Sequence, residues 1–140
     1  LYLIAFSYGV DKVFWYNLRS REKDPAYSED NFGLLHSDLS DKPAMKAYRT
    51  LTEMCPDGST RPTLTVTDGL YHATWSRPDG TAVHALWAPT GNKTVRIKKH
   101  SRIKVYDHLG NRQHLKGNTL DVKEGVYYVE GDLTFTLFPR

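Results

Sequence analysis

The feature that most constrains this chain is a change of hydrophobic period partway along it. From residue 63 to residue 138 apolar and polar positions alternate, in "TLTVT", "LYHATWSR", "TAVHALWA", "KTVRIK", "RIKVYD", "TLDV", "VYYVEG" and "LTFTLF". Alternation sends successive side chains to opposite faces, so each stretch reads as a half-buried strand. Tyr71, Ala73 and Trp75 share one face, as do Val83, Ala85 and Trp87, then Val95 with Ile97, Ile103 with Val105, and Leu133, Phe135 with Leu137. Turn signals fall between them, at 78–80 (PDG), 89–92 (PTGN), 108–111 (HLGN), 116–118 (KGN) and 124–125 (EG). Short strands at this spacing predict an antiparallel β-sandwich of about eight strands.

Residues 1–56 follow another rule. Leu1 to Tyr8 is almost wholly apolar and ends at Gly9, as a helix would. Lys12 to Tyr16 places large apolar residues on consecutive positions, the pattern of a strand buried on both faces in a parallel sheet. A polar segment of roughly 25 residues follows, far beyond the 2 to 6 usual for a βα loop. Then "SDKPAMKAYRTLTEMCPDG" reads as an amphipathic helix, with Ser40 or Asp41 as cap, Pro43 in the first turn, and Ala44, Ala47, Tyr48, Leu51 and Met54 at helical spacing. The fold class is therefore mainly β: a sandwich at 57–140 preceded by a helix-strand-helix segment at 1–56, with the hinge near 56–62.

Composition narrows the function. Hydrophobic residues at 39% and charged residues at 25% describe a folded chain, and 140 residues are too few for a complete large enzyme fold. Basic residues exceed acidic by only 19 to 16, and the basic run "VRIKKHSRIK" is interleaved with Val95, Ile97 and Ile103. It reads as two strands with solvated outer faces, so no nucleic-acid partner is expected. No run approaches the ~20 apolar residues of a membrane span, and "LYLIAFSYG" lacks the basic flank and cleavage site of a signal peptide. Beginning without Met in an apolar run, the chain is expected to start inside a larger protein.

Reactive residue types form no convincing set. The single Cys55 permits no intrachain disulfide and reads as a small packed hydrophobe. His36, His72, His84, His100, His108 and His114 lack paired ligand spacing, so neither metal nor cofactor is expected. His72 and His84, on neighbouring strands, read as a cross-strand polar pair. "NKT" at 92–94 matches a glycosylation acceptor on a turn. Glu22, Asp24, Glu29, Asp30 and Asp38 read as the solvated face of the long loop.

A lone buried strand between two helices is not a stable unit. Its residues carry a resemblance: "GVDKVFWYNLRS", then "NFGLL", then "DKPAMKAYRTL" resembles the last βα unit of the (β/α)8 barrel of glycoside hydrolases of the β-xylosidase and β-glucanase type, in which a small β-sandwich packs on the barrel. The resemblance covers residues 1–54 and implies that Trp15, Tyr16, Asn17 and Arg19 lie at the C-terminal rim of the barrel, where substrate binds. There an indole stacks on a sugar face and an amide bonds its hydroxyls.

The resemblance also places both catalytic carboxylates upstream, at the ends of strands four and seven, so no catalytic residue is expected here and the fragment alone is expected to be inactive. Its implied partners are a poly- or oligosaccharide and the remainder of the barrel; its implied location is secreted or periplasmic. Two other readings stay open. In one the sandwich is a non-catalytic carbohydrate-binding module with Tyr71, Trp75, Trp87 or Tyr128 as a stacking platform. In the other it is a structural domain without ligand.

Overall fold

A computed structural model describes residues 1–99, 103–115 and 117–138. His100, part of the basic run and Lys116 of the 116–118 turn lie outside the described residues. Two helices, α1 (Tyr2–Ser7) and α2 (Pro43–Met54), precede nine strands: β1 (Thr63–Thr67), β2 (Leu70–Ser76), β3 (Ala82–Trp87), β4 (Lys93–Lys99), β5 (Lys104–Tyr106), β6 (Arg112–Gln113), β7 (Thr119–Val122), β8 (Tyr127–Glu130) and β9 (Thr134–Leu137). The strands form a six-stranded sheet, ordered β1-β2-β3-β8-β5-β6, and a three-stranded sheet, ordered β7-β4-β9. Every pairing is antiparallel. The expected sandwich is present, and the short β6 is the strand that alternation did not announce.

Local chemistry explains the boundaries. Helix α1 ends as its sequence foretold: Gly9 takes φ +86°, its N–H bonds the Phe6 carbonyl, and the Val10 N–H reaches Ala5, the paired bonds of a Schellman end. Helix α2 starts on Pro43, where the missing N–H costs nothing. Its cap is Lys42 with no side-chain bond, which corrects the expectation of Ser40 or Asp41. Those side chains are engaged elsewhere, Ser40 with Asp38 and Asp41 with Arg49. Pro56 ends the helix by forcing Cys55 out of helical geometry, to φ −130° and ψ 68°. Between β1 and β2, Asp68 and Gly69 both take positive φ, the two-residue turn whose twist matches its strands.

The six-stranded sheet is apolar on both faces. One face presents Leu70, Leu86, Val105 and Val129 to Val95, Ile97, Leu120 and Val122 of the smaller sheet, forming the sandwich interior. The other presents Ala73, Trp75, Val83, Ala85 and Tyr128 to Leu3, Leu51 and Met54 of the two helices. The Tyr71/Ala73/Trp75 and Val83/Ala85/Trp87 phases therefore face the helices. The molecule has three layers: helices, large sheet, small sheet.

The helix layer is held by hydrogen bonds as well as by burial. Trp75, 3% exposed, donates its indole N–H to the Met54 carbonyl at 2.8 Å. Arg77 reaches the same carbonyl at 3.4 Å and pairs with Glu130 at 2.5 Å. The end of α2 is thus capped by the sheet rather than by its own sequence.

One expected element does not form. Lys12 to Tyr16 belongs to no strand, and Phe14 is 87% exposed. Consecutive apolar residues make a buried strand only when neighbours pair both edges, and among the described residues no strand pairs with this segment. Among the described residues no helix is long and apolar enough to cross a membrane.

Replacing Trp75 by Phe removes the bond to Met54 and opens a void beneath α2. Urea unfolding is expected to show a loss of about 2–4 kcal/mol, whereas Val66→Ser, on an exposed position, changes stability by less than about 0.5 kcal/mol.

Candidate functional site

Trp15, Tyr16, Asn17 and Arg19 lie close together in sequence where the apolar segment meets the long loop, and that loop is ordered by its own bonds. Its two arms run side by side: Arg19 bridges Leu35, and the N–H groups of Leu34 and Leu35 bond the carbonyls of Asn17 and Leu18 at 3.2 and 2.8 Å. At the closest approach Ser20, 1% exposed, receives the Gly33 N–H at 3.0 Å and the Lys42 ammonium at 2.6 Å. Lys42 also donates to the Asn31 carbonyl at 3.1 Å. One cation at the start of α2 therefore fixes both arms.

The loop positions each candidate side chain differently. Trp15 donates its indole N–H to the Phe32 carbonyl at 2.9 Å and remains 46% exposed, so its polar edge is used and ring surface is left open. It borders two recesses, one of about 370 Å³ with Tyr2, Leu51 and Trp87 among its walls, the other of about 260 Å³ with Val13, Phe14, Leu18 and Met45. Tyr16 is 71% exposed, and the Tyr16–Asn17 peptide is cis. Asn17 Oδ1 is shielded from solvent and has no hydrogen-bond partner among the described residues. Arg19 donates through Nε to the Ser37 carbonyl at 2.9 Å.

Of the loop acids, Asp24, Glu29 and Asp38 are exposed as a solvated face would have them, whereas Glu22 is half-buried and Asp30 is buried. Asp30 is buried at 6% exposure; it pairs with Arg21 at 2.9 Å and accepts the Asp24 N–H at 3.1 Å. Loop closure is the reason, because the inner carboxylate satisfies donors that the turn removes from water. Glu22 accepts the Ser37 N–H at 2.9 Å and faces His36 at 2.7 Å and Lys42 at 3.6 Å. The Ser37 N–H first, and His36 second, hold its carboxyl down to about 2. The Ser40 hydroxyl and N–H hold Asp38 below the usual carboxylate range. A general acid must keep its proton near neutral pH, and neither group does.

The Glu22–His36–Lys42 cluster went unread in the sequence because its members are 14 and 20 positions apart with no periodic signal. Phe14 and Leu18, exposed beside Tyr16, were legible only as part of an apolar run. On the sandwich, Trp75 and Tyr128 are buried, while Tyr71 and Trp87 stack on each other at 5.2 Å. Asn92 of the NKT site is exposed, between a bend at 89–91 and the start of β4. Among the described residues no three His, Cys, Asp or Glu side chains gather as a metal site would require.

A Cβ on Gly33 would lie 2.1 Å from the Ser20 nitrogen and 2.4 Å from the Arg19 carbonyl carbon, so Gly33→Ala must part the two arms. Trypsin is expected to cut the 18–42 loop roughly tenfold faster in that variant, equivalent to about 1.4 kcal/mol of local opening. An unchanged rate would show that the arms do not depend on this contact.

No family model matches the chain, and no curated protein matches it. Among solved structures, the chain superposes on a family 39 glycoside hydrolase from the gut symbiont Bacteroides cellulosilyticus WH2 with a TM-score of 0.73 and 20% identity. The match takes in 94% of this chain and spans 28% of that one. At this identity the likeness establishes a shared fold: what the chain has in common with that hydrolase is its mainly β architecture with the helix layer attached.

Proposed function

We propose that this chain is a C-terminal portion of a glycoside hydrolase acting on poly- or oligosaccharides, supplying the last strand of a (β/α)8 barrel at its rim and a β-sandwich that braces the barrel. The observation that carries this reading is where the apolar surface lies. Phe14, Trp15, Tyr16 and Leu18 are exposed at 87%, 46%, 71% and 59%, with Leu1, Tyr8 and Val10 also exposed, whereas on the sandwich only Val66 and Phe138 are large, apolar and exposed among the described residues. Between Asp11 and Tyr16 the backbone makes no hydrogen bond to other backbone of the described residues. An apolar segment with an unpaired backbone has the surface expected where neighbouring strands belong to the rest of a barrel.

The likeness to a family 39 glycoside hydrolase supports the same assignment. Under it Trp15 offers ring surface for stacking on a sugar, and Tyr16, Asn17 and Arg19 complete the rim. Hydrolysis by a carboxyl pair is left to groups upstream, because the acids of this loop are bound up in holding it together. The partners are a carbohydrate and the remaining barrel, and the location is outside the cytoplasm. A carbohydrate platform on the sandwich gains no support, since Trp75 and Tyr128 are core.

The purified chain is expected to give no turnover of aryl glycosides and to self-associate through the exposed row. The triple variant F14S/Y16S/L18S is expected to be monomeric, with an unfolding free energy within about 1 kcal/mol of the wild type because the row is mostly exposed. A wild-type chain that stays monomeric at ~100 μM, or one whose turnover is lost on replacing Asp24 or Asp38, would overturn the proposal.

A further inference from the structure

The sandwich interior contains a polar pair that the sugar site does not use. His72 on β2 and His84 on β3 share the phase of Leu70 and Leu86, facing the smaller sheet. His72 Nε2 lies 2.9 Å from His84 Nδ1, the rings are nearly parallel with centroids 5.2 Å apart, and Phe135 of β9 meets His72 edge-to-face at 5.1 Å. Thr74 and Val129 sit opposite His84, and Thr65 and Leu86 opposite His72. Among the described residues, the titratable groups acting on the pair are the two rings themselves and Asp132, ahead of β9, which favours the charged form of His84.

A neutral imidazole offers one N–H and one bare nitrogen, so the 2.9 Å contact holds a single proton between a donor and an acceptor. A first added proton can enter at a nitrogen outside the contact and leave the bond intact. A second sets N–H against N–H and places two like charges side by side. We propose that His72 and His84 form an acid-sensitive latch beneath β9, closed while the rings share one proton and opened by double protonation, which loosens the three-stranded sheet from the six-stranded one.

Burial holds both imidazoles below their ordinary range, and with the charge of its partner brings His84 down to about 4. The unfolded chain takes up protons near pH 6.5 that the folded chain refuses. The latch therefore contributes its full stability above about pH 6.5 and loses it as the pH falls toward about 4.

The test compares urea unfolding of the wild type and H72Q/H84N from about pH 7 to pH 4, the amides standing where the two ring nitrogens stood without titrating. The wild-type folding constant is expected to fall about tenfold further than that of the variant between about pH 6.5 and 4.5, even after solvent screening at the half-open pair. Amide exchange at Phe135 should quicken in the wild type over the same interval. Parallel stability profiles would overturn the proposal. Should the variant fail to fold, NMR titration of the wild-type imidazoles decides: two depressed, unequal steps support the latch, and two independent titrations near 6.5 reject it.

Discussion

A sheet that is apolar on both faces cannot be satisfied by a single partner layer, and the remaining architecture follows from that constraint. Burying each face is worth about 25 cal/mol per Å² of apolar surface removed from water, so β2 and β3 need a cover on either side. The small sheet covers Leu70, Leu86 and Val129. Helices α1 and α2 cover Ala73, Trp75 and Tyr128, although they come from the part of the sequence with a different hydrophobic period. The grip of Trp75 and Arg77 on the Met54 carbonyl adds direction to what burial alone would leave free to slide.

From α2 the order passes to the long loop through one residue. Lys42 lies where the helix begins and where the two arms of the loop are closest. Its ammonium replaces lost hydration with the Ser20 hydroxyl and the Asn31 carbonyl, a bonded arrangement that makes burial of a charge tolerable. Trp15 and Arg19 are then placed by loop carbonyls, Phe32 and Ser37 respectively, so these two side chains take their geometry from backbone rather than from neighbouring strands.

Much of this was legible from residues alone, for physical reasons. Strand alternation and turn chemistry are local, and they gave all the strands except β6, whose two residues are too few to show a period. Gly9 and Pro43 marked helix ends because their backbone preferences act within one turn. The alternation of β2 and β3 told which residues share a face but not which layer that face meets, because an apolar phase is the same against a helix or a sheet. The segment from Lys12 to Tyr16 misled for the complementary reason: its residues are those of a buried strand, while pairing is a property of neighbours. Of the candidate site, the sequence offered the Trp15–Arg19 run as aromatic and amide chemistry beside an apolar segment. The carboxylate network was not, since Glu22, His36 and Lys42 meet only after the loop closes.

The capping of α2 by the sheet has a consequence for how such a unit can be inherited. A sandwich whose outer face ends at Trp75, Ala85 and Tyr128 carries a sticky surface unless α2 travels with it. Shuffling at the Pro-rich linker between 56 and 62, which looks like a natural seam, would strand the indole N–H of Trp75 and leave Arg77 without the end of the helix it caps. The transferable module is therefore the sandwich together with its helices, and the recombination point that preserves it lies ahead of Leu3.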